Sequence, residues 1–409
     1  MNKTIFKYFF LLLILLLICC SFSGCSKVQS IDDLAYAVAM GIDVGDNNNI
    51  KFTLQFTMPN NSGEGGSGEP APSIVESVEC SSIDSGINLL NSYVSKEINL
   101  SHCKVIIFSE KIAEKGISKE VYTLINKVQI RPDANIIVSR SDAKDFIEAS
   151  NPSLENLVAK YYEIAPRSSE YTGYTANVTI GEFFNALTDS YCEPFAILGG
   201  INTDSTHNNK SSSNSEKDST NKANETPFEV TSPAESNGLA VFHSDKLVGE
   251  LSSIDCICHL IVTNKLKNCT ISIPNPFIEN DSIDLYLYQQ SSTKTKVNLV
   301  NGSPYAKFNV SLNARILSIN ENADYLTEDK LDKIIESANN YLKQHISEYL
   351  YKTSKEFNSD IAGIGKHLAS QFLTIQDWEN YNWLENYKNT FFSVDVNTNI
   401  KSSHLLSET

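Results

Sequence analysis

The sequence predicts a mixed α/β (α+β) fold divided into subdomains, with antiparallel and mixed sheets packed by helices and a long amphipathic helix near the C-terminus. Three observations carry that expectation. From residue 83 to the helix that begins at Asp142, short apolar runs alternate with segments whose apolar residues recur every three or four positions, the strand, helix, strand, helix order of an α/β region. Residues 50–57 and 305–319 alternate apolar and polar side chains, the period of a strand with one buried face. The chain has 409 residues, and single hydrophobic cores stop growing at roughly 250–300, so more than one core is expected.

In chain order, residues 37–44 read as a strand, and residues 50–57 as its partner, with Ile50, Phe52, Leu54 and Phe56 on one face. The Gly45-Asp46-Asn47-Asn48-Asn49 turn between them makes a hairpin. Residues 60–72, rich in Asn, Gly, Glu and Pro, form a flexible loop. Ile87, Leu90 and Val94 mark a helix over 83–97, followed by a strand at Val105–Phe108 and a helix near 119–128. A second strand at 135–138 and a helix from Asp142 complete the alternation. Thr179-Ile180-Gly181-Glu182 is a capping box, in which hydroxyl and carboxylate satisfy free N–H groups at the start of a helix through Phe183, Phe184 and Leu187.

From Thr203 to Asn237 the composition falls to Ser, Asn, Thr, Lys and Glu. So few apolar residues cannot offset ordering entropy, and a disordered polar linker is expected. It separates 25–202, read as two α/β subdomains, from a C-terminal domain at 238–402. There, Leu239–Phe242 and Leu247–Leu251 flank a turn at 243–246, and Val297–Val300 meets 305–319 through Asn301-Gly302. Thr327 caps a long amphipathic helix, with Glu328 and Asp329 in its first turn and an apolar stripe from Leu331 to Leu350. A last strand runs through Phe392, Val394, Val396, Thr398 and Ile400.

The first 25 residues carry a different message. Lys3 and Lys7 precede an apolar run from Tyr8 to Ile18, which is too short for the roughly 20 residues that cross a bilayer. Ser21-Phe22-Ser23-Gly24-Cys25 follows, small residues before a cysteine that suit cleavage and lipidation. Residues 1–24 are read as a lipoprotein signal peptide and Cys25 as the lipidated mature N-terminus, although Phe22 stands where such motifs usually carry Leu. The alternative is an uncleaved anchor.

Composition and motifs exclude more than they select. Without the leader, 31 Lys and Arg face 49 Asp and Glu, a charge of about −18, the wrong sign for gripping phosphates. No nucleic-acid partner is expected. The six later cysteines are scattered through apolar elements and read as reduced and buried, not as a disulfide framework. Gly63-Glu64-Gly65-Gly66-Ser67-Gly68 matches a dinucleotide pattern, but Pro70 and Pro72 stand where the phosphate-binding helix should begin. Cys256, Cys258, His259 and Cys269 offer metal-ligand chemistry without the paired spacing of a zinc site, so they read as packing. No Gly-x-Ser-x-Gly elbow occurs, the histidines are isolated, and paired acids such as Asp32-Asp33 read as solvated. No catalytic residue, cofactor or metal is therefore assigned.

Taken in order, several motifs together resemble the Ger(x)C family, the lipoprotein C subunits of bacterial spore nutrient germinant receptors. They are Asp32-Asp33-Leu34-Ala35 with Gly41-Ile42-Asp43, then Leu100-Ser101-His102-Cys103-Lys104-Val105-Ile106. The C-terminal half adds Gly238-Leu239-Ala240-Val241-Phe242, Asp245-Lys246-Leu247-Val248-Gly249 and Thr263-Asn264-Lys265. Asp360-Ile361-Ala362-Gly363-Ile364-Gly365, Trp378, Trp383 and Val394-Asp395-Val396 complete the series. Two departures stand out. Ser26-Lys27 replaces the Trp-Asp that usually follows the lipidated cysteine, and the 203–237 insertion is unusually long. The matched residues read as fold residues: Gly363 and Gly365 permit a turn, and Trp378 and Trp383 fill a core edge.

The resemblance implies an α/β ectodomain of three subdomains, lipid-anchored on the outer face of the spore inner membrane. It implies partners too: a membrane-bearing A subunit, a transporter-like B subunit and a clustering lipoprotein, with nutrient sensing attributed mainly to the membrane subunits. The expected role is that of a non-catalytic subunit needed for receptor assembly or coupling. The competing readings are a solute-binding lipoprotein of an importer, with a ligand cleft between lobes, and, disfavoured by the missing acid-base and metal motifs, a cell-wall hydrolase.

Overall fold

The computed structural model describes residues 6–14, 33–57, 73–151, 155, 157–202, 221–225, 233–317 and 327–400. Cys25 and the loop expected at 60–72 lie outside the described residues. Residues 6–14 form helix α1, whose apolar side chains are exposed. No helix among the described residues is long and apolar enough to cross a membrane.

Two sheets organise the rest. The larger comprises β1 (Leu34–Val44), β2 (Ile50–Thr57), β3 (Ser73–Cys80), β4 (Glu97–Asn99), β5 (Val105–Ser109), β6 (Asn135–Ser139), β7 (Phe195–Ile201), β8 (Ala234–His243) and β9 (Lys246–Leu251). Its order is β3-β2-β1-β5-β6-β7-β8-β9, with β4 paired to the start of β1. The central strands β1, β5, β6 and β7 are parallel, while antiparallel hairpins flank them at both sides. Parallel strands need crossovers that cover both faces, which is why β5 and β6 are buried at every position. Asn47 and Asn48, both at positive φ, close the first hairpin.

The crossovers and flanking helices are α2 (Ile83–Tyr93), α3 (Glu110–Lys115), α4 (Ser118–Ile125), α5 (Ala143–Ala149), α6 (Val158–Ile164), α7 (Ile180–Leu187) and α8 (Ser253–Val262). The capping box at Thr179 is present with both of its reciprocal hydrogen bonds. α2 stops at Tyr93, short of the expected 97, because Glu97–Asn99 is extended and pairs with Leu34–Tyr36.

The smaller sheet holds β10 (Cys269–Pro274), β11 (Ser282–Gln289), β12 (Lys294–Val300), β13 (Ser303–Ile316) and β14 (Phe391–Ile400). As its alternation predicts, β13 buries Phe308, Val310, Leu312, Ala314 and Ile316. Against this sheet lies α9 (Glu328–Tyr351), burying Ile334, Ala338, Leu342, Ile346, Tyr349 and Leu350. Burying each large apolar side chain stabilises by roughly 1.5–3 kcal/mol before ordering entropy is counted. A π-helical turn at Lys352–Glu356 ends α9, and α10 (Gly365–Ala369), α11 (Ile375–Tyr381) and α12 (Trp383–Asn386) lead to β14.

The larger sheet runs from the 25–202 region into β8 and β9, which pair with it across the 203–237 segment. The segment expected to be a disordered linker from 203 to 237 is held in two places. β8 begins at Ala234, and Asn221–Glu225 is pinned, with Ala223 fully buried, Ala223 N donating to Asn237 O at 3.0 Å and Ser253 N donating to Asn221 O at 3.1 Å. Composition could not reveal this because the captors, Arg140 among them, lie far away in sequence.

Candidate functional site

The sequence singled out one metal-like cluster and one series of family motifs, and the structure treats them differently. Among the described residues no group of three or more His, Cys, Asp and Glu side chains could hold a metal ion. α8 is buried throughout, and Cys256, Cys258 and Cys269 are free thiols whose ionisation burial strongly opposes. His259 is enclosed, its Nδ1 2.8 Å from the Tyr349 hydroxyl and its ring edge-on to Phe195. Burial drives its pKa down to about 3, so the imidazole is neutral and joins α8 to α9.

The motif residues 360–365, Trp378 and Trp383 do come together, at a junction between the two sheets. Asp360 is fully buried. Its Oδ1 accepts the Ile364 N–H at 3.0 Å, and its Oδ2 accepts the Gly365 N–H at 2.8 Å and the Trp383 indole N–H at 2.9 Å. Gly363, at φ +66°, makes the turn that aims these donors inward. Gly365 is required for a different reason: a Cβ there would stand 2.5 Å from Trp383 Nε1 and 2.6 Å from the Tyr191 carbonyl oxygen. Trp378 donates to Ser190 Oγ at 3.0 Å and stacks on Tyr191, ring centroids 5.2 Å apart.

Sequence reasoning missed that this turn reaches into the large sheet. The Asp360 carbonyl accepts the N–H of Glu193, just before β7, at 3.0 Å. Glu193 Oε2 accepts the Ser244 N–H at 2.8 Å, and its Oε1 lies 3.0 Å from His243 Nδ1, at the β8–β9 turn. Glu385 of α12 approaches the other side of that imidazole, at 3.7 Å. Burial pushes the Asp360 carboxyl up to about 6 against the pull of its N–H donors. It pushes Glu193 up to about 7, with Asp360 and Glu385 adding to the rise while the Ser244 N–H and His243 oppose it. The one signal in the sequence was the spacing Asp360, Gly363, Gly365, an acid among residues that form tight turns.

A second link closes the far side. Arg140, after β6, forks onto Glu250 of β9 at 2.9 and 2.6 Å and donates to Ala223 O at 2.8 Å. Lys352, at the end of α9, donates to both Asp255 oxygens at 2.9 and 2.8 Å.

Chemically, these groups fasten elements together. The Asp360 carboxylate is occupied by backbone and indole donors. Cys192, beside the junction, contacts Asp189 at 3.7 Å, and burial drives its thiol up to about 12, which disfavours the thiolate. A cavity of about 230 Å³ opens next to it, lined by Asn185, Asp189, Cys192, Glu193, Lys265 and Lys366.

The fold and the junction define a two-sheet α+β body whose buried polar groups clasp one sheet to the other. Comparison with known proteins identifies the group to which it belongs. Residues 27–198 match the family model described as the spore germination protein N-terminal domain, and residues 237–404 match the spore germination B3/GerAC-like C-terminal model. The chain belongs to the Ger(x)C (GerAC) family of spore germination proteins. Spore germination protein KC of Bacillus subtilis (strain 168) is 23% identical over 368 residues, 87% of this chain and 85% of the relative. GerQC of Bacillus cereus is 19% identical over 389 residues, 93% and 95% of the two chains. The crystal structure of the GerBC protein has the same fold, with a TM-score of 0.50 at 17% identity over 88% of this chain and 96% of that one.

Proposed function

We propose that the chain is a non-catalytic, lipid-anchored subunit of a spore nutrient germinant receptor, required for assembling the receptor or coupling its parts. Family membership over both halves of the chain is the observation that carries this reading. The Ser21–Cys25 motif supplies the anchor, on the outer face of the spore inner membrane. The partners are the A and B membrane subunits, with a clustering lipoprotein beside them. The junction supports the role: its acids are spent on backbone and indole donors that clasp two sheets, as a coupling body needs.

The test is a pull-down of tagged protein from detergent-solubilised spore inner membrane, with a Cys25→Ala control and mass spectrometry of what accompanies it. Recovery of A and B subunits, with membrane retention lost in the control, is expected. Recovery of importer permeases instead would favour a solute-binding lipoprotein. The cavity beside Cys192 is a foothold for that second reading, and thermal shift with amino acids and sugars would expose a ligand there.

A further inference from the structure

β1 begins at one end of the large sheet. Leu34 pairs with Glu97 and Tyr36 with Asn99, so the last turn of α2 and the strand β4 flank the point at which the described chain enters the fold. Asn91 Oδ1 accepts the Ile98 N–H at 2.9 Å, fixing the end of α2 there. Gln129 Oε1 accepts the Leu100 N–H at 3.1 Å and brings the turn after α4 to the same end. Two large side chains stand out from these segments. Tyr93 is 76% exposed and Val128 is fully exposed.

We propose that this end is a membrane-contacting surface, seated on the bilayer that holds Cys25, with Tyr93 and Val128 at the boundary between headgroups and acyl chains. The proposal rests on the reading of Cys25 as the lipidated N-terminus. Given that anchor, reach decides which end faces the lipid. Nine residues from Cys25 to Leu34 can span at most roughly 32 Å. The opposite end of β1, at the Asp46 turn, is a further ~35 Å away along the strand.

Near this end Lys104 pairs with Glu163 and Lys127 with Asp84. Tyrosine, with an apolar ring and a polar tip, suits the headgroup layer. Valine has no polar side-chain atom to offer water, and among the described residues Val128 stands fully exposed.

The experiment uses full-length lipidated protein in phosphatidylcholine and phosphatidylglycerol vesicles, in a Cys192→Ser background. Val128→Cys, Tyr93→Cys and, at the far end of β1, Asp46→Cys each carry an environment-sensitive fluorophore. Nitroxide lipid is expected to quench the probes at 128 and 93 at least threefold more than the probe at 46, and aqueous iodide to show the reverse order. Equal quenching at all three sites in protein that floats with the vesicles would overturn the membrane surface while leaving the anchor intact. Intact mass shows whether Cys25 carries a lipid. Its absence, with protein that does not float, would overturn the anchor itself and this surface with it.

Discussion

Replacing Asp360 should separate the two things its carboxyl does, receiving hydrogen bonds and carrying a buried charge. In Asp360→Ala the Ile364 and Gly365 N–H groups and the Trp383 indole N–H lose their acceptor at a site with no solvent access. Each stranded donor costs about 1–3 kcal/mol. With partial relaxation the variant should lose about 3–6 kcal/mol, a large share of the 5–15 kcal/mol typical of a folded protein. Asp360→Asn keeps the shape and one acceptor oxygen and should lose about 1–2 kcal/mol.

The pH dependence gives the sharper test. Burial raises the folded-state carboxyl from 3.8 to about 6, so the native state holds this proton more tightly than the unfolded chain does. Its contribution is therefore complete below pH 3.8 and is lost as pH rises through about 6, on the order of 3 kcal/mol in all, with ~1–2 kcal/mol of that between pH 5 and 8. Asparagine has no proton to lose, so its deficit against the natural protein should shrink by that amount from pH 5 to pH 8. Urea unfolding followed by tryptophan fluorescence reads this site directly, because the chain's two tryptophans are Trp378 and Trp383, with ring centroids 6.2 Å apart. An Asp360→Ala midpoint equal to the natural one, or an Asp360→Asn deficit constant with pH, would refute the reasoning.

Gly365→Ala should lose about 1–3 kcal/mol and change the tryptophan emission of the folded state, since the added methyl meets a buried indole and a backbone carbonyl; unchanged emission would mean the turn yields without cost. Arg140→Ala should cost about 3–5 kcal/mol by leaving Glu250 with only Lys222 for charge compensation. It should also free Asn221–Glu225, so that trypsin cuts after Lys222 many times faster, as followed by mass spectrometry. Tyr349→Phe should cost about 1–3 kcal/mol because it takes the hydroxyl from an enclosed His259; a double variant with His259→Phe should recover part of the loss if the pair is the cause.

What the sequence disclosed follows from the range of the forces involved. The β12–β13 hairpin, the Thr179 capping box and the stripe of α9 are written in residues a few positions apart, and each is present. Trp378 and Trp383 were legible as core residues because two large indoles seldom stay in water. Glu193 with Asp360, and Arg140 with Ala223, were not legible, because those partners are far apart in sequence and no periodicity announces a pairing at that range. The same limit hid the pairing of β7 with β8 across the 203–237 segment. A polar stretch looks like a divide until the strand beyond it is seen to pair with the strand before it.

That pairing constrains how the protein can transmit a force. β7 begins in the half matched by the first family model and β8 ends in the half matched by the second, yet they share one ladder from Phe195–Val241 to Ile201–Ala234. A truncation at 202 would bare the edge of β7 and strip Glu193 of its Ser244 N–H; one beginning at 238 would leave the β8–β9 hairpin without a sheet. Residues 360–386, which belong to the small-sheet half, hold the start of β7 through Asp360 and Glu193 and approach the β8–β9 turn through Glu385. Interfaces of this kind shift between discrete arrangements or not at all, because close-packed side chains do not deform continuously. A partner that displaces the 360–386 segment must therefore either move β7 and β8 with it or break the Asp360 and Glu193 contacts, whose strength the Asp360 variants measure.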